Sequence, residues 1–365
     1  MKFRKSVIPW WLSLIFWIAL VAPGEALEVR VAIKKNIQQL QVGTSTPGVV
    51  KDRAGRQLGK ISELTAFNVR KSYNNISISQ WNYPQLWLEP TPEGYVWIEN
   101  RWYRGRIQLL LDGNGITVVN HVDLEEYLYS VVGAETPSSW PLEALKAQAV
   151  AARSYALYKQ SRSSNSLYDL DNTTASQVYK GLDSEYYSTV QAVNETAGEV
   201  MTYNGKVILA VFHSSSGGHT ENVEDIWNHS LPYLRGVWDY DHRAPVYQWS
   251  KTFSTSELNS RLPGVGAIHS MTIERKTPQG RVVTMMVRGD RGAKRFSGSE
   301  IRKALGLRST LFTISPTGQG FIFQGRGFGH GVGLSQWGAQ YLAQSGYNYY
   351  QILTHYYQNI TLNRI

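Results

Sequence analysis

The sequence contains no cysteine. Disulfide staples, thiolate zinc sites and a cysteine nucleophile are therefore excluded. It has no Gly-Lys-Ser or Gly-Lys-Thr, so no P-loop can form. The glycine run near the C-terminus, Gly325 to Gly333, fits G-x-G-x-x-G in no register. Its sixth position is always His330, Val332, Leu334 or Gln336. Gly333-Leu334-Ser335-Gln336-Trp337 has Trp where a nucleophile elbow needs Gly. Beyond the N-terminus no apolar run reaches the roughly 20 residues of a spanning helix. Basic residues outnumber acidic ones by nine, but they are not gathered into a stripe, so nucleic acid is not an expected partner.

What is present is an ordinary folding composition, 42% hydrophobic and 18% charged. The 365 residues are enough for two domains or one with insertions. Twelve Trp and 22 Tyr supply flat apolar faces with polar tips, suited to sugar stacking or to a wet-edged core. Lys2, Arg4 and Lys5 precede an apolar stretch from Val7 to Ala22, and Gly24 and Ala26 are small residues at cleavage spacing. Residues 1–26 thus read as a signal peptide, and export is expected. An uncleaved anchor is the alternative, although 16 apolar residues are short for a span. The mature chain keeps a net +7, which suits anionic partners such as wall polymers.

Residues 27–105 are strand-rich. Arg106–Leu111 and Ile116–Val119, split by Asp112-Gly113-Asn114-Gly115, predict a hairpin. Asp123 and Glu126 are spaced as a capping box for a helix that Gly133 would end. Glu135 then falls in a short linker, and loops held between rigid elements often carry catalytic groups. Pro141 is placed as the first residue of a helix to about Lys159. Lys146 and Arg153 lie within roughly 20° of each other on it, at one edge of its apolar stripe. They are solvated rim residues or a site. Strands and a Ser297/Glu300 capping box within 250–313 predict an inserted strand-and-helix lobe. The fold class expected is α+β: a mixed strand-rich fold with a central helical segment and that smaller lobe. His213, His219 and Glu221 could be metal ligands, but their spacing is not a standard zinc pattern, and no cofactor is expected.

Three stretches carry a resemblance. The first runs from Val131-Val132-Gly133-Ala134-Glu135-Thr136-Pro137 through Trp140, Lys146, Gln148 and Arg153 to Ala156. The second is Phe212-His213-Ser214 through Thr220-Glu221-Asn222, and the third is Gly327-Phe328-Gly329-His330 through Ser335-Gln336-Trp337 to Ala339. Together and in this order they resemble the SpoIID/LytB family over about Arg106 to Thr361, which makes 106–365 a SpoIID-like catalytic domain. The resemblance implies a lytic transglycosylase that cleaves the MurNAc–GlcNAc bond of stem-peptide-poor glycan and leaves 1,6-anhydro-MurNAc ends. It implies that Glu135 is the acid/base. It implies that Lys146, Arg153, Trp140, Gln148, His213, Ser214, His330, Ser335 and Gln336 bind substrate. LytB-type members enhance a wall amidase, so a non-catalytic wall-binding regulator is the alternative. Some sporulation members bind zinc through His and Cys, whereas this chain has Ser215 and Ser216 in that stretch. Expected partners are glycan strands and a wall amidase, and the expected location is the periplasm or the wall.

Overall fold

The expected hairpin forms. Strands Arg106–Asp112 and Gly115–Asp123 pair from Arg106↔His121 to Asp112↔Gly115. They lie in the middle of a seven-stranded sheet whose order is Leu170–Asp171, Glu28–Ile37, Gly115–Asp123, Arg106–Asp112, Gln85–Pro90, Gly48–Lys51 and Gln57–Ile61. The computed structural model describes residues 27–164, 167–174, 176–227 and 229–365. The signal segment read in 1–26 lies outside the described residues. A six-stranded sheet, which includes Gln39–Thr44 and Phe67–Ser72, packs on the first sheet. Alternation does the work: Val29 and Val31 point inward from one sheet, Val42 and Val69 from the other, and all four are fully buried. Strands from both sides of Arg106 share this sheet and core.

Eight helices occur among the described residues: α1 Leu124–Glu135, α2 Leu142–Ser161, α3 Tyr187–Glu195, α4 Val223–Trp227, α5 Thr255–Arg261, α6 Gly298–Leu305, α7 Gln336–Gln344 and α8 Tyr349–Tyr356. The fold is α+β. Asp123 caps α1 by accepting the N–H groups of Glu125 and Glu126 at 2.8 and 3.2 Å. Glu126 turns instead toward Arg104, 3.5 Å away, so the box is only half formed. Gly133 does not stop the helix. It lets the Ser184 carbonyl approach, since a Cβ there would sit 2.0 Å from that oxygen. The helix runs on to Glu135 and ends where the Thr136 N–H and hydroxyl both donate to the Val132 carbonyl. Glu135 is therefore the last residue of a rigid helix rather than part of a loop.

Pro141 is the cap of α2, with an extended ψ of 140°, and Leu142 is its first residue. From Ala144 to Ala156 every residue of α2 except Lys146 is buried. The expected apolar stripe widens to a helix buried on nearly every side, because α1, α3, α7, α8 and strand Glu199–Tyr203 surround it. A second core gathers Trp249, Phe253, Leu258, Val265, Met285, Ile301, Leu305, Phe321 and Phe323. It is built from α5, α6 and two three-stranded sheets that use strands up to Gly320–Arg326. The Ser297/Glu300 capping box starts α6 as expected, and Gly306 at φ +62° ends it.

Candidate active site

Two short strands bring distant stretches together. Phe212–His213 pairs in parallel with Leu334–Ser335, His213 opposite Ser335. The glycine run approaches closely beside them. Gly329 has φ +118°, and a Cβ there would sit 2.6 Å from the His213 Cβ. The pairing opens onto a cleft of about 570 Å³ lined by Glu135, Tyr155, Thr174, Ser176, Val211, Phe212, His213, Ser214, Trp227, Arg302, Phe328, Gly329, His330 and Gln336. Two larger hollows, one beside Arg104 and Arg106 and one beside Trp249, contain no residue of the three resembling stretches.

Among the described residues Glu135 is the one acidic side chain in this lining. Its Oε1 accepts the Val178 N–H at 2.8 Å. Burial pushes its carboxyl pKa up, while hydrogen bonds from Val178 and Gln336 and the charge of Lys180 oppose the shift without cancelling it. Gln336 also donates from Nε2 toward Gln148 Oε1 at 3.5 Å, so Gln148 helps to orient the amide that faces the acid. Tyr155 stands in the same wall, its phenol pushed up to about 12 by burial and then by the charges of Asp171 and Glu135. It is a neutral hydroxyl donor at any ordinary pH.

The histidines form the other end. Val332 N–H donates to His330 Nδ1 at 3.1 Å, which leaves Nε2–H to donate to the Phe212 carbonyl at 3.0 Å. His213 donates from Nδ1 to the Val332 carbonyl at 3.1 Å, which leaves its buried Nε2 as a lone pair without a protein partner. Burial holds both rings neutral, with the His330 pKa pushed down to about 3 and that of His213 also far below its usual value.

Five of the expected residues thus meet in one cleft: Glu135, His213, Ser214, His330 and Gln336. Five do not line it. Trp140 packs edge-on against Trp337 at 5.0 Å. Gln148 and Ser335 are buried behind the wall, Ser335 as the cap of α7. Lys146 is bound to Glu143 at 3.0 Å and Glu195 at 2.6 Å. Arg153 is fully buried, with a fork onto Glu125 at 2.8 and 2.6 Å and bonds to the Glu199 and Val193 carbonyls. Glu125 and Glu135 are ten residues apart on α1, about 15 Å along the axis. Arg153 is therefore held far from the acid. The shared edge of Lys146 and Arg153 is neither a solvated rim nor part of the cleft: carboxylates of α1, α2 and α3 occupy it. Lys146→Ala is expected to lower the melting temperature far less than Arg153→Ala; melting curves on the two variants check this.

Sequence reasoning missed Tyr155, Trp227, Phe328 and Arg302. Tyr155 and Phe328 lie inside the resembling stretches, but Trp227 and Arg302 carry no local signal. It also missed a buried polar network under the Gly/Ser/His loop. Ser215 and Ser216 hydroxyls donate to Asp241 and Asp239. Arg281 donates to the Ser216 carbonyl at 2.6 Å and lies 3.5 Å from Glu221, which accepts from Thr277. These bonds fix the loop that carries His213.

The same network decides the fit of a zinc ion. Glu221 is engaged by Thr277 and Arg281, His219 Nδ1 contacts the Thr220 carbonyl, and both serines are spent on aspartates. Among the described residues no three metal-ligating side chains converge. The residues present do not fit the ion. Treatment with EDTA is expected to leave the melting temperature unchanged, and a fall reversed by added zinc would overturn that.

Residues 112–203, which hold Glu135 and α2, match the family model "Stage II sporulation protein" (SpoIID), and residues 233–333 match a domain of unknown function, DUF8618. The chain is 36% identical to stage II sporulation protein D of Bacillus subtilis, over 67% of this chain and 76% of that one. It is 36% identical to an uncharacterized protein of Brachyspira hyodysenteriae over 71% of this chain and 72% of that one. It is 31% identical to an amidase enhancer of Bacillus subtilis over 64% of this chain but 40% of that one. The chain belongs to the SpoIID family of sporulation and cell-wall proteins.

Proposed function

We propose that the protein is a lytic transglycosylase that cleaves the MurNAc–GlcNAc bond of stem-peptide-poor wall glycan. The observation that carries this reading is that one carboxyl group among the described residues lines the cleft, half-buried and with its pKa raised. Glycoside hydrolases commonly need two carboxyl groups, about 5–9.5 Å apart, to place a nucleophile or a water. One suffices when the sugar supplies its own nucleophile. Protonated Glu135 gives its proton to the glycosidic oxygen as the bond from MurNAc C1 breaks, which frees the GlcNAc 4-hydroxyl. The resulting carboxylate takes the proton of the MurNAc 6-hydroxyl, whose oxygen bonds to C1. The product is the 1,6-anhydro ring, and the carboxyl is protonated again. The raised pKa favours the acid form for the first step, and Val178 and Gln336 stabilise the anion for the second. Trp227 and Phe328 give the cleft the ring faces that sugars stack on.

This chemistry belongs outside the cytoplasmic membrane, in the periplasm or the wall. No helix among the described residues is long and apolar enough to cross a membrane. The second reading is a non-catalytic enhancer of a wall amidase, supported by the relative that bears that name. Assays with purified glycan, with and without an amidase, separate the two. An enzyme releases glycan fragments alone. An enhancer releases none, and raises amidase output equally as wild type and as Glu135→Gln.

A further inference from the structure

Among the described residues the cleft lining holds one cation, and it comes from the second core. Arg302 lies on α6, is half-buried, and lines the cleft. Among the described residues no carboxylate pairs with its guanidinium, and loss of solvent alone pulls its pKa below the ordinary arginine value. A half-buried, unpaired arginine is costly unless something neutralises it. Its charge bears on His213 and His330, which line the same cleft, so it stands at the histidine end. At that end His213 Nε2 is buried and, among the described residues, has no hydrogen-bond partner. The site therefore offers an anion-binding fork at the histidine end of the cleft.

We infer that Arg302 is a substrate-binding residue that takes a carboxylate of the wall polymer and so fixes which carboxylated glycan enters the cleft. The inference rests on the proposed glycan-cleaving function for its choice of polymer, but the anion site itself follows from the unpaired guanidinium. Wall glycan offers carboxylates from two sources. One is the lactyl group of MurNAc when no peptide is attached to it. The other is a stem peptide, whose attachment turns the lactyl carboxyl into an amide. Arg302 suits either source in charge, because a guanidinium holds two carboxylate oxygens at once. An ammonium does not, so Arg302→Lys should retain little of the effect.

The test is cosedimentation of the full chain with three insoluble glycans: peptide-free, peptide-free with its carboxylates amidated, and stem-bearing. Wild type, Arg302→Ala and Arg302→Lys are compared, with melting curves as the fold control. Binding is read apart from cleavage, so a protein that never cuts glycan still answers the question. Wild type should bind one carboxylated glycan about tenfold or more tighter than the amidated one, as expected for loss of one charge-assisted pair. Arg302→Ala should bind both equally and melt as wild type does. If the Arg302-dependent gain appears on peptide-free glycan, the lactyl group is the ligand; if it appears on stem-bearing glycan, the stem is. Equal preference for carboxylated glycan in wild type and Arg302→Ala would overturn the inference. Absence of cleavage by a wild type that still discriminates would overturn the proposed function alone.

Discussion

Glu135→Gln is expected to lower the rate of glycan cleavage by about 10²–10⁴-fold, the usual contribution of a positioned acid–base group, while glycan binding persists. Gln keeps the shape and can still accept the Val178 N–H, but it cannot give or take the proton. The stability of the variant is informative in its own right. Folding raises the Glu135 pKa, so the folded protein holds that proton more tightly than the unfolded chain does. The stability this confers is full below the ordinary carboxyl range, near 4.3, and is lost as the pH climbs through the raised value. At neutral pH an ionised Glu135 is therefore a strain on the fold that Gln relieves. The variant should melt at or above the wild-type temperature at pH 7, and the difference should narrow in acid. Activity that needs protonated Glu135 should fall as the pH rises past the same point. Cleavage by Glu135→Gln at the wild-type rate would end the mechanism, and a lowered melting temperature would end the account of the carboxyl's environment.

The second large effect is on stability. Arg153→Ala is expected to cost about 3–5 kcal/mol, because it removes one partner of a buried ion pair. The guanidinium is fully buried and ties α2 to the start of α1 through Glu125, and to the Val193 and Glu199 carbonyls. Its loss opens a cavity and leaves those carbonyls without their donor. Arg153→Lys should recover little, since an ammonium cannot reproduce the fork onto both Glu125 oxygens. Urea or thermal unfolding of the purified variants measures this directly. A drop below about 1 kcal/mol, with cleavage lost, would instead return Arg153 to the substrate groove.

The contrast between these two residues shows what the sequence makes legible. Both lie in one resembling stretch. The position of Glu135 near a helix junction follows from local spacing, whereas the role of Arg153 does not. Seven-residue spacing correctly puts Lys146 and Arg153 on one edge of α2. What that edge meets is set by Glu125, 28 residues earlier, and Glu195, 49 residues later than Lys146. Gly133 misleads for a similar reason. A glycine after a periodic run usually marks a helix end, but here its absent Cβ admits the Ser184 backbone. The hairpin at Asp112–Gly115 and the capping box at Ser297 are local devices, and both form. The cleft itself rests on a parallel pairing of two residues with two, Phe212–His213 with Leu334–Ser335, too short to leave any periodicity. Arg302 enters from a different core, and only the folded chain brings it into the cleft that holds Glu135.

The central claim is that one carboxyl group and the sugar's own hydroxyl break the bond without water. Digestion of purified peptide-free glycan in heavy-oxygen water, followed by mass analysis of the new ends, tests it most directly. The expected products are 1,6-anhydro-MurNAc ends that carry no solvent oxygen. Reducing MurNAc ends labelled with heavy oxygen would show a hydrolase and contradict it.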